Sequence, residues 1–316
     1  MYPIGYRYIN SLLDLKLLLK GLFFSLLILN VDFLISNLFD LGVSDYLEDS
    51  VLFGIAGVNI TKSMVPIILT FPLYSFITTD NSQKKVFFLL LVLMSASLVF
   101  IGLKRTAISS LVLGYSLLLY FNPKSGPYKK YIVIVLFFVA LLLPSLNDIF
   151  QERLDARQEQ GSFDVEVISE KEGRVREIQQ VLSAFEQGSI IYKFFGRDIF
   201  YDRQFFQQDR MLHIDYFIML SGSGLVGLTL FVLIYFLILY DNIKYRIYIK
   251  HNHIVKLLTS LGIALVMVSL ILSVAGSVYA ILTRSIIFVL LGAIAGNLKT
   301  ISLQQAAIKH DRNRFS

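Results

Sequence analysis

Long apolar stretches decide the solvent of this chain before any other feature is considered. A helix needs about 17–25 consecutive apolar residues to cross the hydrocarbon core of a bilayer. Inside that core only helices and closed barrels satisfy their own backbone polar groups. Eight stretches have this character: 21–40, 61–79, 86–103, 107–121, 131–147, 213–240, 257–275 and 278–298. The fourth and fifth are the shortest. Charged residues make up only 16% of the sequence, against about a quarter in soluble domains. The reading is an all-α integral membrane protein, a multi-helix bundle of about eight transmembrane helices.

Lysine and arginine set the orientation, because short cytoplasmic loops of membrane proteins collect them. Lys84, Lys85, Lys129, Lys130, Lys244 and Arg246 fall in one set of connections, together with the basic residues of both ends of the chain. The opposite short connections hold only Lys62, Lys104, Arg105 and Arg284. Both termini are therefore expected in the cytoplasm, with the first apolar run acting as an uncleaved signal anchor. The formal net charge of +6 reflects this bias and is no argument for nucleic acid as a partner. The sequence has no cysteine, which removes disulfides, thiol nucleophiles and thiolate metal sites together.

The organisation reads as a single polytopic membrane domain over 1–316, with one long external loop at 148–212. Within that loop "EKEGRVREIQQVLSAFEQ" has helical spacing, placing Val175, Ile178, Val181, Leu182 and Phe185 on one face. The stretch "IIYKFFGRDIFY" mixes aromatic, aliphatic and charged residues in the manner of a segment lying along an interface.

The ionisable groups that most need a reason sit at the external boundary. Arg105 follows Lys104 in a tight connection between two apolar runs, on the side that short loops keep poor in positive charge. A snorkelling flank residue is one reading. The other is a functional cation, since a guanidinium fork binds phosphate or diphosphate bidentately. His213 heads a membrane run and is followed by Gly224 and Gly227. Eleven residues along a helix make about 1100°, so His213 and Gly224 are expected on one face, with Gly227 close to it. Glycines at that repeat favour close helix packing, and a titratable imidazole at the surface suits acid–base work. Asp215 is expected about 200° away from His213 as an acid at the helix start. Arg174 and Arg176 open the external helix, either as solvated charges or as ligands. "KHNH" at 250–253 lacks a third neighbouring ligand, and no metal site is expected.

Taken together, "HIDYFIMLSGSGLVG" resembles the His-x10-Gly signature of the bacterial O-antigen ligases, and "KRTAISSLVL" resembles the Arg-Thr-Ala hairpin that they share with O-antigen and exopolysaccharide polymerases. "GRVREIQQVLSAFEQGSIIYKFFGRDIF" is similar to the external segment that precedes the histidine in that family, and "LFGIAGVNITKSMVPIIL" to its Gly-x-x-Asn segment. The four matches occur in the family's order across residues 51–230.

The resemblance implies a membrane glycosyltransferase with a GT-C-like fold in a bacterial inner membrane, its active site on the periplasmic side. The donor would be a polyprenyl-diphosphate-linked oligosaccharide and the acceptor a glycan hydroxyl, with neither metal nor cofactor. His213, Arg105 and Arg174 would be catalytic. Arg176, Arg210, Arg284 and Asp215 would bind substrate, and a chain-length regulator is a further candidate partner. Polymerisation of repeat units is the first expectation. A ligase that transfers finished polymer to a lipid-A core or protein shares the same donor. A transporter or flippase of lipid-linked sugars, or a membrane scaffold, belongs to another class.

Overall fold

The computed structural model describes residues 1–39, 60–78, 82–101, 105–121, 129–137, 173–197, 214–249, 251–274 and 281–314. Every regular element among them is a helix. In chain order these are α1 (Tyr2–Tyr8), α2 (Leu12–Leu38), α3 (Ile60–Leu69), α4 (Phe71–Ile77), α5 (Ser82–Ile101) and α6 (Arg105–Phe121). Then come α7 (Gly173–Gln187), α8 (Ile190–Phe195), α9 (Asp215–Tyr248), α10 (His253–Val274) and α11 (Ile281–Arg314). Residues 129–137 are also helical, and the remainder of the run expected at 131–147 lies outside the described residues.

Five of these helices are long and apolar enough to cross a membrane: Leu12–Ser36, Ser82–Phe100, Asp215–Tyr248, His253–Val274 and Leu282–Ala307. Two further apolar stretches, Thr61–Ile77 and Thr106–Phe121, are shorter. A helical membrane protein is therefore the architecture.

The helix limits have local causes. The Ser11 side chain accepts the Asp14 amide and so starts α2 well ahead of residue 21. Lys16 and Lys20 consequently lie on the helix itself. The stretch expected as one span at 61–79 is two helices, because Pro72 cannot donate its amide and starts a fresh helix after Thr70.

The chain forms two compact units, the first comprising Met1–Leu142, Ile238–Ser269 and Ala280–Ser316, the second Leu143–Leu237 with Leu270–Tyr279. The helices α7 and α8 thus belong to one unit with most of α9 and the end of α10.

In the first unit, α2 and α5 run parallel. Phe23 meets Phe88 at 5.1 Å between ring centroids, and seven residues further along both helices Asn30 Nδ2 donates to Ser95 Oγ at 2.7 Å. Tyr74 of α4 also packs on Phe88, edge to face at 5.2 Å. Across α6, the Tyr115 hydroxyl donates to the Ile68 carbonyl at 2.9 Å. The short α1 lies in a groove of α11 cut by Gly292 and Gly296. A Cβ on Gly292 would strike the Tyr2 carbonyl, and one on Gly5 would strike the Val289 carbonyl. Small residues of this kind let two helix backbones approach when lipid supplies no hydrophobic drive.

The second unit has a core of Val181, Ile218 and Leu220, joined by Phe185, Phe217 and Leu228. The Tyr216 hydroxyl donates to the Leu270 carbonyl at 3.0 Å and fixes the end of α10 against α9. Of the five positions expected on the apolar face of α7, Val181 and Phe185 pack as anticipated. Leu182 is exposed.

Candidate functional site

The candidate residues fall in two groups, one in each unit. The first group lies at the starts of α3, α6 and α11. Ser63 Oγ and Thr283 Oγ1 share a hydrogen bond of 2.8 Å, which fastens the first turn of α3 to the first turn of α11. Lys62 and Arg284, the adjacent residues in sequence, are thereby brought to one level of the unit. Lys62 is only 7% exposed and Arg284 is half-buried. Both interact with other groups of the chain.

Arg105 is the first residue of α6, in the same unit. The first turns of α3 and α11 thus meet, each carrying a cation, and a third helix of the unit opens on an arginine.

The electrostatics of such an arrangement are additive. A helix start carries the positive end of the macrodipole, so the joined first turns of α3 and α11, with Lys62 and Arg284 in them, make a positive region.

The second group belongs to the unit built on α7, α8 and α9. Arg174 and Arg176 occupy the first turn of α7. Asp215 is the first residue of α9 and is fully buried, where the positive end of the helix favours its charge. His213 and Arg210 lie outside the described residues.

Gly224 has a role that continuous-helix geometry does not anticipate. It sits at a break in α9 with φ 63° and ψ −163°, a region that essentially only glycine occupies. The shared face expected for His213 and Gly224 presumes an unbroken helix, and α9 is broken at Gly224. The close approach that the glycines permit is made by α8. A Cβ on Gly224 would strike the backbone of Phe194 and Phe195, and one on Gly196 (φ 72°) would strike Gly222 and Ser223. Gly227 has only Ser223, one turn earlier on its own helix, at close range.

Two features escaped the sequence reading. Lys62 counted there only as a loop charge; a lysine three residues into an apolar helix was the available signal. Arg246 counted only towards orientation. It donates to the Lys256 carbonyl at 3.2 Å, Thr259 Oγ1 at 3.3 Å and Ser260 Oγ at 2.8 Å, and to the Phe121 carbonyl at the end of α6. Its role is structural: it closes the negative end of α6 and ties that end to the first turns of α10.

Among the described residues no three His, Asp or Glu side chains group closely enough to hold a metal ion. No protein-family model matches the sequence, and no curated protein matches it.

Proposed function

We propose that this protein is a membrane glycosyltransferase that polymerises polyprenyl-diphosphate-linked oligosaccharide repeat units on the external face of a bacterial cytoplasmic membrane. The observation that carries the reading is the meeting of the first turns of α3 and α11, which bear Lys62 and Arg284, in the unit whose α6 opens on Arg105. A membrane-boundary region favourable to a compact multivalent anion suits the diphosphate of a lipid-linked sugar. The four family-like sequence segments support the same donor. Under this reading the fold is GT-C-like and both termini are cytoplasmic.

In the proposed reaction the acceptor hydroxyl oxygen forms a bond to the anomeric carbon of the donor. The bond from that carbon to the diphosphate oxygen breaks, and the diphosphate leaves with the electron pair. His213 takes the hydroxyl proton or orients the hydroxyl for attack. In the first unit Arg105 stabilises the charge that develops on the leaving group, an effect that is large where water is scarce, and Arg284 holds the donor. In the second unit Arg174, Arg176 and Arg210 are the candidate anion ligands, and Asp215 positions the start of α9.

The test is deletion of the gene, complemented by wild type, His213→Ala or Arg105→Ala, with lipid-linked and surface glycans profiled on gels. Variants that insert normally yet leave single-repeat lipid intermediates support a polymerase. Accumulation of long lipid-linked polymer would instead assign a ligase. Full-length surface polymer from both variants would reject the site, and a transporter or scaffold would become the better account.

A further inference from the structure

The six residues of α8 carry an apolar surface that packing within the second unit does not use. Ile190 is 74% exposed, Ile191 72%, Phe194 49% and Phe195 66%. At about 100° per residue these four fall in a stripe roughly 140° wide. The protein side of the helix is Tyr192, which is buried and stacks under the Arg197 guanidinium at 5.4 Å. Lys193 lies on the remaining side. The helix has firm ends: Ser189 accepts the Tyr192 amide at its start, and Gly196 turns the chain out at its finish. The stripe is thus held in place by capping and by the contact with α9.

Depth identifies what covers it. Glycine-mediated backbone contact places Phe194 and Phe195 directly against Gly224. From Gly224 the apolar part of α9 runs to Tyr240, before Asp241, Lys244 and Arg246. Those 16 residues, 225–240, span about 24 Å, slightly less than the roughly 30 Å hydrocarbon core. With Asp241 at one interface, Gly224 therefore lies at or just inside the other. Over the same length Leu225, Val226, Leu230 and Leu233 are exposed, as expected of a lipid-facing span. The stripe on α8 continues that surface sideways at its end.

We propose that α8 is an interfacial anchor whose apolar stripe is immersed in the lipid leaflet at the Gly224 end of α9. Its depth sets the depth of the first part of α9, because the Arg197 amide donates to the Ser221 carbonyl and joins the two. The partner is the bilayer, with acyl chains against Ile190, Ile191, Phe194 and Phe195 and with Lys193 reaching the headgroups. This inference stands whether or not the chain is a glycosyltransferase.

The sequence contains no tryptophan, so single substitutions give unambiguous fluorescence. The full chain carrying Phe195→Trp or Ile191→Trp would be reconstituted in nanodiscs of phosphatidylglycerol and dibrominated phosphatidylcholine. Leu237→Trp serves as the lipid-facing reference and Gln179→Trp as the water-facing one. The expected result is a blue-shifted emission for both α8 variants, quenched by brominated lipid as strongly as Leu237→Trp and little affected by acrylamide. Acrylamide quenching equal to that of Gln179→Trp would overturn the proposal by placing α8 in water. Protection from both quenchers would overturn it by placing protein over the stripe, whether a second copy or another part of this chain. Two positions are used so that one variant that fails to fold leaves the other informative.

Discussion

The amide of Arg197 donates to the carbonyl of Ser221 at 3.0 Å, immediately after Gly196 has brought its backbone against Gly222. The acceptor is available because α9 breaks three residues later at Gly224, where the ladder of helical hydrogen bonds is interrupted. Two glycines at positive φ, one on each partner, allow α8 and α9 to meet backbone to backbone. Gly224 thus lets the short α8 dock onto a broken helix.

Gly224→Ala is expected to disrupt that junction. The added methyl group meets the Phe194 carbonyl, and the backbone angles themselves cost about 1–3 kcal/mol for any residue with a Cβ. Thermal unfolding in detergent checks this: Gly224→Ala should melt well below wild type and expose the α7–α8 segment to protease. Gly21→Ala in α2, where nothing lies within 4 Å of an added Cβ, should melt as wild type. Equal melting of Gly224→Ala and wild type would show the junction to be unimportant.

The helical membrane architecture was legible because apolar length is a one-dimensional property. The span through His253–Val274 matches the run 257–275 to within a few residues for that reason. The split at Thr70 needed only proline chemistry and was readable in retrospect. The break at Gly224 was not, since helical periodicity continues smoothly through "SGSGLVGL" and only the contact with Phe194 requires a positive φ. Lys62 and Arg284 come together through a hydrogen bond between residues 220 positions apart, a pairing that one sequence does not reveal. Arg246 stood out only as a charge, because all of its acceptors are carbonyls and hydroxyls brought in by other helices.

Arg246→Ala should therefore destabilise the protein. Hydrogen bonds to a charged donor contribute about 1.5–3 kcal/mol, and this guanidinium also caps the end of α6 at Phe121. Arg246→Lys should recover only part of the loss, since a single ammonium cannot reproduce the fork that reaches Ser260 and Phe121 together. Lys244→Ala, an exposed charge two residues away, should melt as wild type. If the Arg246 and Lys244 variants melted alike, the contacts of Arg246 would be worth nothing in the membrane.

Asn30 and Ser95 form a buried polar pair between parallel helices, and each also bonds a carbonyl of its own helix. Such pairs contribute about 0.6 kcal/mol on average and up to about 1.7 kcal/mol in membrane proteins. A double-mutant cycle with Asn30→Ala and Ser95→Ala should return a coupling in that range, measured by reversible unfolding in mixed micelles. A coupling of zero would mean that aromatic packing of Phe23 on Phe88 alone sets the register of α2 and α5.

The cation-bearing helix starts make the sharpest prediction about substrate. If a diphosphate lies among them, removing one cation should weaken donor binding by roughly 10- to 100-fold, the range given by losing about 1.5–3 kcal/mol. Lys62→Met and Arg284→Gln are the informative variants, assayed with purified protein and a polyprenyl-diphosphate-linked donor. Both should raise KM for the donor, and the effect of Arg284→Gln should shrink with rising salt more than that of Lys62→Met, because a buried charge is screened much less. Lys62 is nearly buried, so its loss alters packing as well as charge. Unfolding curves separate the two, since Met fills a comparable volume and leaves melting nearly unchanged if packing is all that is at stake. An unchanged KM in both variants, with protein that folds normally, would remove the diphosphate from this part of the first unit and leave the joined starts of α3 and α11 without a ligand.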